Sequence, residues 1–287
     1  MAVAADIVDL DARPELTSAA LAALVAAGPG SHHLITGFAH RMGLPPVADD
    51  FRNCLGVILA CRSTRLLGVL ALCGYSRQQA TLWGPTMPSG ATHDAAELLV
   101  AEAKRALRAA GFESARALVD TRNRVLRAFL LARGFTPWKD DHLFEAALVP
   151  AEPDPCVRPV APADRIEVTT ILTEAFPDGD HCRPGLSARE REGCRHYLVE
   201  ADGRIAGAAV VQHSGRRAWL KMIAVRRELR VKRLGSRLLK GVMGVEAALG
   251  MTAIALEVLA DNPRAITLYE HAGFARRWTA TVMTAPV

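Results

Sequence analysis

Leu256-Glu257-Val258-Leu259-Ala260-Asp261-Asn262-Pro263-Arg264-Ala265-Ile266-Thr267-Leu268-Tyr269-Glu270-His271-Ala272-Gly273-Phe274 is the stretch whose reading decides the fold. The run from Thr252 to Leu259 reads as a buried strand, and Pro263 stands where a first helical turn tolerates it, because that N–H has no helical partner. Gly273 then stops the helix, and Phe274 to Met283 predicts a closing strand. A strand, a short helix and a strand in such close order belong to a sheet with helices packed on it.

The same plan occurs earlier in the chain. Residues 65–135 match residues 204–274 without a gap at a constant shift, which sets Arg65 and Gly68 on Arg204 and Gly207, and Arg77 on Arg216. Gly111 falls on Gly250, Val119 on Val258, Asn123 on Asn262, and Gly134-Phe135 on Gly273-Phe274. Two copies of one supersecondary plan follow. The proline-rich Pro150-Ala-Glu-Pro-Asp-Pro155 joins them, so two domains are expected, 1–150 and 151–287.

Upstream of the opening stretch, Asp202-Gly203 separates two β-rich runs, His196 to Ala201 and Arg204 to Gln212, as a two-residue hairpin turn does. Arg217 to Val225 predicts a third strand. From Lys232 to Leu249, Leu234, Leu238, Leu239, Val242, Val245 and Leu249 recur at helical spacing. The fold class expected is α/β: each copy a mixed, mostly antiparallel sheet flanked by helices.

Length and composition agree with this. The chain has 287 residues and half are apolar, enough for two modest cores. The apolar segment Ala19 to Ala27 is flanked by Asp6, Asp9, Asp11 and Glu15 instead of positive charge, so it predicts an Ala-rich helix and not a secretory signal. No apolar run approaches the roughly 18 residues a membrane span needs, so a soluble, cytoplasmic protein is expected, as monomer or homodimer. The six cysteines form no C-x-x-C pair and have no His at zinc spacing, and no metal is expected. Net charge is only +5, yet ten Lys or Arg and one acid, Glu228, lie between Arg216 and Lys240. That stretch calls for an anionic partner. With Trp219 as its only interleaved aromatic, nucleic acid is not the expected one.

At its junctions this sequence resembles the GCN5-related N-acetyltransferase (GNAT) family, in tandem form. One motif is Ile223-Ala224-Val225 followed by Arg230-Val231-Lys232-Arg233-Leu234-Gly235 and a Leu-rich helix opening near Ser236. In the family this is the CoA pyrophosphate loop, R/Q-x-x-G-x-G/A. Free N–H groups and the positive end of the helix dipole suit phosphate oxygens, and Arg230, Lys232 and Arg233 add charge. The resemblance further implies that the strand before the loop splays from its neighbour, leaving main-chain groups near Ile223 and Val225 for the pantetheine amides and the thioester carbonyl. The second motif is the opening stretch, matching L-x-V, N-x-x-A, L-Y-E and G-F; it implies acetyl-CoA as donor, Asn262 and Tyr269 at the donor site, and no metal.

Acyl transfer to an amine needs a neutral nucleophile, a polarised thioester and a proton for the departing thiolate. A phenol stays protonated at neutral pH and can supply that proton, which gives Tyr269 its expected role. Glu257 is the expected base, since relatives that acetylate protein N-termini have a Glu there working through water; His213 and Asp202 are weaker candidates. Asp178, Asp180 and His181, in Phe176-Pro-Asp-Gly-Asp-His181, are expected to hold a cationic amine acceptor, a small molecule or a protein N-terminus.

The match has two departures. Arg233 occupies the loop's first glycine position, where a left-handed non-glycine residue costs roughly 1–2 kcal/mol. The first copy has Ala91, Asp94, Ala96 and Glu97 opposite Arg230, Arg233, Gly235 and Ser236, and Leu130 opposite Tyr269, and so reads as structural. Two functions stay open: an acyl-CoA-dependent N-acetyltransferase working in the C-terminal domain, or a catalytically inactive acyl-CoA- or partner-binding module.

Overall fold

The computed structural model describes residues 5–26, 51, 54–88, 93–150, 152, 154–176, 186–191, 193–229 and 233–287. They form two compact units, one of Met1–Asp140 with Thr279–Val287 and the other of Asp141–Trp278. This differs from a division at 150. The proline-rich joint does lie between the repeats in the chain, but strand pairing crosses it in both directions.

The first unit holds β1 (Asp6–Asp9), α1 (Thr17–Ala26), β2 (Gly56–Arg62), β3 (Arg65–Gly74), β4 (Gln79–Thr86), α2 (His93–Ala109), β5 (Ser114–Asp120) and α3 (Arg124–Leu131). Its sheet runs β1-β2-β3-β4-β5 and is then completed by the far end of the chain, since β12 (Ala275–Pro286) pairs antiparallel with β5 from Ala280↔Asp120 to Pro286↔Ser114. Met283 and Ala285 of that strand are buried in the same core as Leu99, Leu130 and Phe135. On the other face, α1 packs Ala20 and Leu24 against Leu59, Val69 and Trp83. The Ala-rich segment is thus a core helix.

The second unit holds β7 (Val157–Pro159), α4 (Arg165–Ala175), α5 (Leu186–Arg191), β8 (Cys194–Ala201), β9 (Arg204–Ser214), β10 (Arg217–Val225), α6 (Leu234–Ala248), β11 (Ala253–Leu259) and α7 (Pro263–His271). Its sheet order is β11-β10-β9-β8-β7, with one further strand beyond β11. That strand comes from the first repeat: β6 (Thr136–Ala147) pairs antiparallel with β11 from Asp141↔Leu259 to Ala147↔Ala253. Each sheet therefore takes its closing strand from the other repeat, and this exchange moves the unit boundary.

Local chemistry explains the repeated residues. Asn123 and Asn262 cap α3 and α7, their side-chain oxygens accepting from the N–H of Leu126 at 3.0 Å and of Ala265 at 3.2 Å. Gly134 and Gly273 follow the same helices at φ +80° and +90°, which an L side chain resists. At Gly207 the requirement is space, because a Cβ there would lie 2.6 Å from the Ala224 carbonyl oxygen. The Asp202-Gly203 turn joins β8 to β9 with φ +52° and +71°, the conformation that matches strand twist. No helix among the described residues is long and apolar enough to cross a membrane.

Candidate functional site

Strands β10 and β11 run parallel, but they pair only at Arg217↔Ala253, Ala218↔Ile254 and Trp219↔Ala255. Beyond Trp219 they part. A bulge at Lys221, between Leu220 and Met222 in the register with β9, re-aims β10 at that point. Leu220 packs among α6 and α7 residues, whereas Met222 and Ala224 pack with Val168, Ile171 and Leu172 of α4 on the opposite face. The parting opens a cavity of about 660 Å³ within the second unit.

Nine of the residues singled out from sequence line this cavity: Ile223, Ala224 and Val225 on β10, Arg233, Gly235 and Ser236 at the start of α6, Glu257 on β11, and Asn262 and Tyr269 on α7. Leu234 does not. Its side chain is buried among Leu238, Leu239 and Tyr269, so only its backbone can face a ligand. Arg230, Val231 and Lys232 lie outside the described residues, as do Asp178, Asp180 and His181. Ala175 and Phe176, which lead into the latter segment, do line the cavity.

Arg233 adopts φ 56° and ψ 16°, a left-handed conformation that favours glycine. Arg233 holds this conformation at the expense of backbone strain. Arg233→Gly is therefore expected to stabilise the ligand-free protein by about 0.5–1 kcal/mol, strain relief of roughly 1–2 exceeding the chain entropy that glycine adds. Loss of an exposed cation should weaken the binding of any phosphate-bearing ligand at this helix start by less than about tenfold and flatten its salt dependence. Thermal melts and calorimetry at two salt concentrations check both signs.

Tyr269 is 7% exposed, and burial pushes its phenol up to about 12. It remains a neutral hydroxyl at any physiological pH. Its ring touches those of Phe274 and Phe144, at centroid distances of 5.8 and 6.4 Å. Along β11, Ile254, Leu256 and Val258 face the same core as Tyr269, so strand alternation turns Glu257 to the other face. Phenol and carboxylate thus reach one cavity from opposite sides of the sheet.

His213 does not share this site. Its Nε2 is hydrogen-bonded at 2.5 Å to Glu246, a fully buried carboxylate that also accepts from the Tyr197 hydroxyl at 2.6 Å. Asp202 sits exposed in its hairpin turn. Among the described residues of the basic stretch, three are taken up in ion pairs: Arg217 with Glu145 at 2.8 Å, Arg226 with Glu167 at 2.6 Å, and Arg237 with Asp154 at 2.6 Å. Among the described residues, those that gather at the cavity are Lys221, Arg233, Arg264 and His271 against one carboxylate, Glu257. Lys221 and Arg264 are not marked as site residues in the sequence, because a bulge position and a helix's first turn carry no motif letter. Among the described residues, no group of three or more His, Cys, Asp or Glu could hold a metal ion.

In the first unit the corresponding strands also pair at three positions, Gln79↔Ser114 to Thr81↔Arg116. There Pro85 stands where Ala224 does and offers no N–H, Leu130 is fully buried in place of Tyr269, and Glu97 is paired with Arg133.

The two parallel strands that part beside the N-terminus of α6 lie within the part of the chain for which a family model is found. Residues 165–274 match the model of the acetyltransferase (GNAT) family. Among solved structures, a GCN5-related N-acetyltransferase from Sphaerobacter thermophilus superposes with a TM-score of 0.70 at 18% identity, over 91% of this chain and 93% of that one. A tandem GNAT protein from the clavulanic acid biosynthesis pathway gives 0.70 at 19%, over 98% of both chains. The glucosamine N-acetyltransferase region of a fungal multi-domain β-N-acetylglucosaminidase gives 0.74 at 14%, over 99% of this chain and 38% of that one. Comparison with curated proteins gives no match. The second repeat is thus a GNAT-family domain, in a chain with the fold of tandem GNAT proteins.

Proposed function

We propose that the protein is an N-acetyltransferase that moves an acetyl group from acetyl-CoA to an amine by direct attack, with the chemistry in the second unit and a structural role for the first. The observation that carries this is the placement of Tyr269 and Glu257 on opposite sides of the parted strands. The donor's phosphates would lie at the N-terminus of α6 beside Arg233, Gly235 and Ser236, where N–H groups and the helix dipole favour an anion. Its pantetheine arm would follow the edge of β10 that β11 leaves after Trp219.

The amine approaches from the Glu257 side. Its lone pair attacks the thioester carbon, the C–S bond breaks, and the thiolate takes the proton of Tyr269 while Glu257, directly or through water, takes one from the amine. Entropy lost in holding the two substrates in line is offset by binding along the cleft. Asp178, Asp180 and His181 are proposed to help hold the amine, next to Phe176.

Calorimetry with acetyl-CoA, followed by thiol release across a panel of small amines, amino sugars and peptide N-termini, tests the reading. Binding together with thiol release on at least one amine is expected. Binding with no release on any of them would leave a binding module, and no binding at all would end both readings.

A further inference from the structure

We propose that Phe144, a residue of the first sequence repeat, is a positioning residue for Tyr269, so that the exchanged strand is a working part of the transferase site. The proposal rests on the reading of Tyr269 as proton donor.

The geometry starts from register. Phe144 lies directly opposite Leu256 on β11, on the face that carries α6 and α7, and it is 1% exposed. Its ring meets Tyr269 at a centroid distance of 6.4 Å and an interplanar angle of 46°. Phe274 meets Tyr269 at 5.8 Å and 56°, and His142 sets its own ring edge-on to Phe144 at 6.2 Å. The Tyr269 ring is therefore held by two aromatic rings, one from its own motif and one from the other repeat. Tilted contacts of this kind fix a ring's two torsions through the orientation of its π system, not merely through bulk. The ring so held belongs to a residue that lines the cavity.

The first unit supplies an internal comparison. The position of Phe144 in the repeat corresponds to Met283, which the second repeat sends into the first unit's core beside Leu130 and Phe135, the counterparts of Tyr269 and Phe274. Where there is a phenol to aim, the exchanged strand brings an aromatic ring. Where there is only a leucine, it brings methionine, a side chain that fills space without fixing a direction.

The test uses the full chain carrying Phe144→Ala or Phe144→Met, with Tyr269→Phe as reference. Two quantities are read: kcat and KM for acetyl-CoA on the best amine of the panel, and the tyrosinate absorbance titration of Tyr269, obtained by difference against Tyr269→Phe. The chain has three tyrosines, which keeps the difference tractable. For Phe144→Ala, kcat is expected to fall about tenfold or more with KM changed less than about threefold. Water admitted beside the ring should also bring the titration midpoint down from about 12 by about one pH unit. Activity, carried by the protonated phenol, should then fall at lower pH than in the parent.

Phe144→Met should keep the fold and lose about threefold or more in kcat with a smaller titration shift; it decides the question if Phe144→Ala does not fold. Parental kcat and titration in both variants, even with a lowered melting temperature, would overturn the proposal. If Tyr269→Phe itself retains full turnover, the donor reading fails instead, and the proposal fails with it.

Discussion

Tyr269→Phe is expected to lower kcat by about 10²- to 10⁴-fold while leaving the KM for acetyl-CoA within a few-fold, the range that a positioned proton donor contributes. The substitution removes one oxygen and keeps the ring between Phe144 and Phe274, so the core around it should not move. A phenol held near pKa 12 by burial is a weak acid in the resting protein. It is nevertheless matched to a thiolate that appears, unsolvated, only as the C–S bond breaks. Pre-steady-state thiol release measures the step itself. An unchanged burst rate would remove Tyr269 from the chemistry and leave Glu257 with water as the proton path to test.

The second large effect concerns the boundary of the folded unit. Residues 151–287 alone, the half that the proline-rich joint marks off, are expected to show no cooperative melting transition and no thiol release. That fragment lacks Asp141–Ala147, the strand that closes β11. It also loses Phe144 and Ala146 from the core, and removal of a buried phenylalanine alone costs about 3–5 kcal/mol out of a typical 5–15. Its own residues 280–286 would be left without Ser114–Asp120 to pair with, exposing an apolar edge that invites aggregation. A fragment of residues 136–287 should recover part of the transition, because the strand is restored. Equal melting of the two fragments would show the strand to be dispensable.

These expectations show what could be read from sequence and what could not. Elements of the second repeat were legible nearly to the residue: Arg217–Val225 and the Pro263 helix start are where periodicity and capping put them. Local rules sufficed because each element's pattern is written in its own residues. Tyr269 and Asn262 could be singled out as motif letters at fixed spacing, and Glu257 and Ile223–Val225 by their places within or beside the motifs; what the structure adds is that all of them line one cavity. Asn262 and Gly273 have cap roles that the first repeat shares, so their presence says more about helix ends than about ligand.

The strand exchange was not legible. A one-repeat offset in pairing leaves every strand's hydrophobic alternation intact, since Phe144 and Met283 fill equivalent places on equivalent sheets. Only the partner changes, and partner choice is a long-range property. Lys221 escaped for another reason: a bulge is a mismatch between two strands and is written in neither alone.

The reciprocal pairing of β5 with β12 and of β6 with β11 also sets an order of events during synthesis. Register partners such as Asp120 and Ala280 are separated by well over a hundred residues, so the first unit cannot close its sheet when its own repeat has emerged. At about 5–20 residues per second, β5 waits on the order of ten seconds or more for its neighbour. During that interval Ser114–Asp120 presents an open, apolar edge. The ribosome-bound chain is then the stage at which the protein is most exposed to chaperones, and to pairing with a second nascent copy of itself.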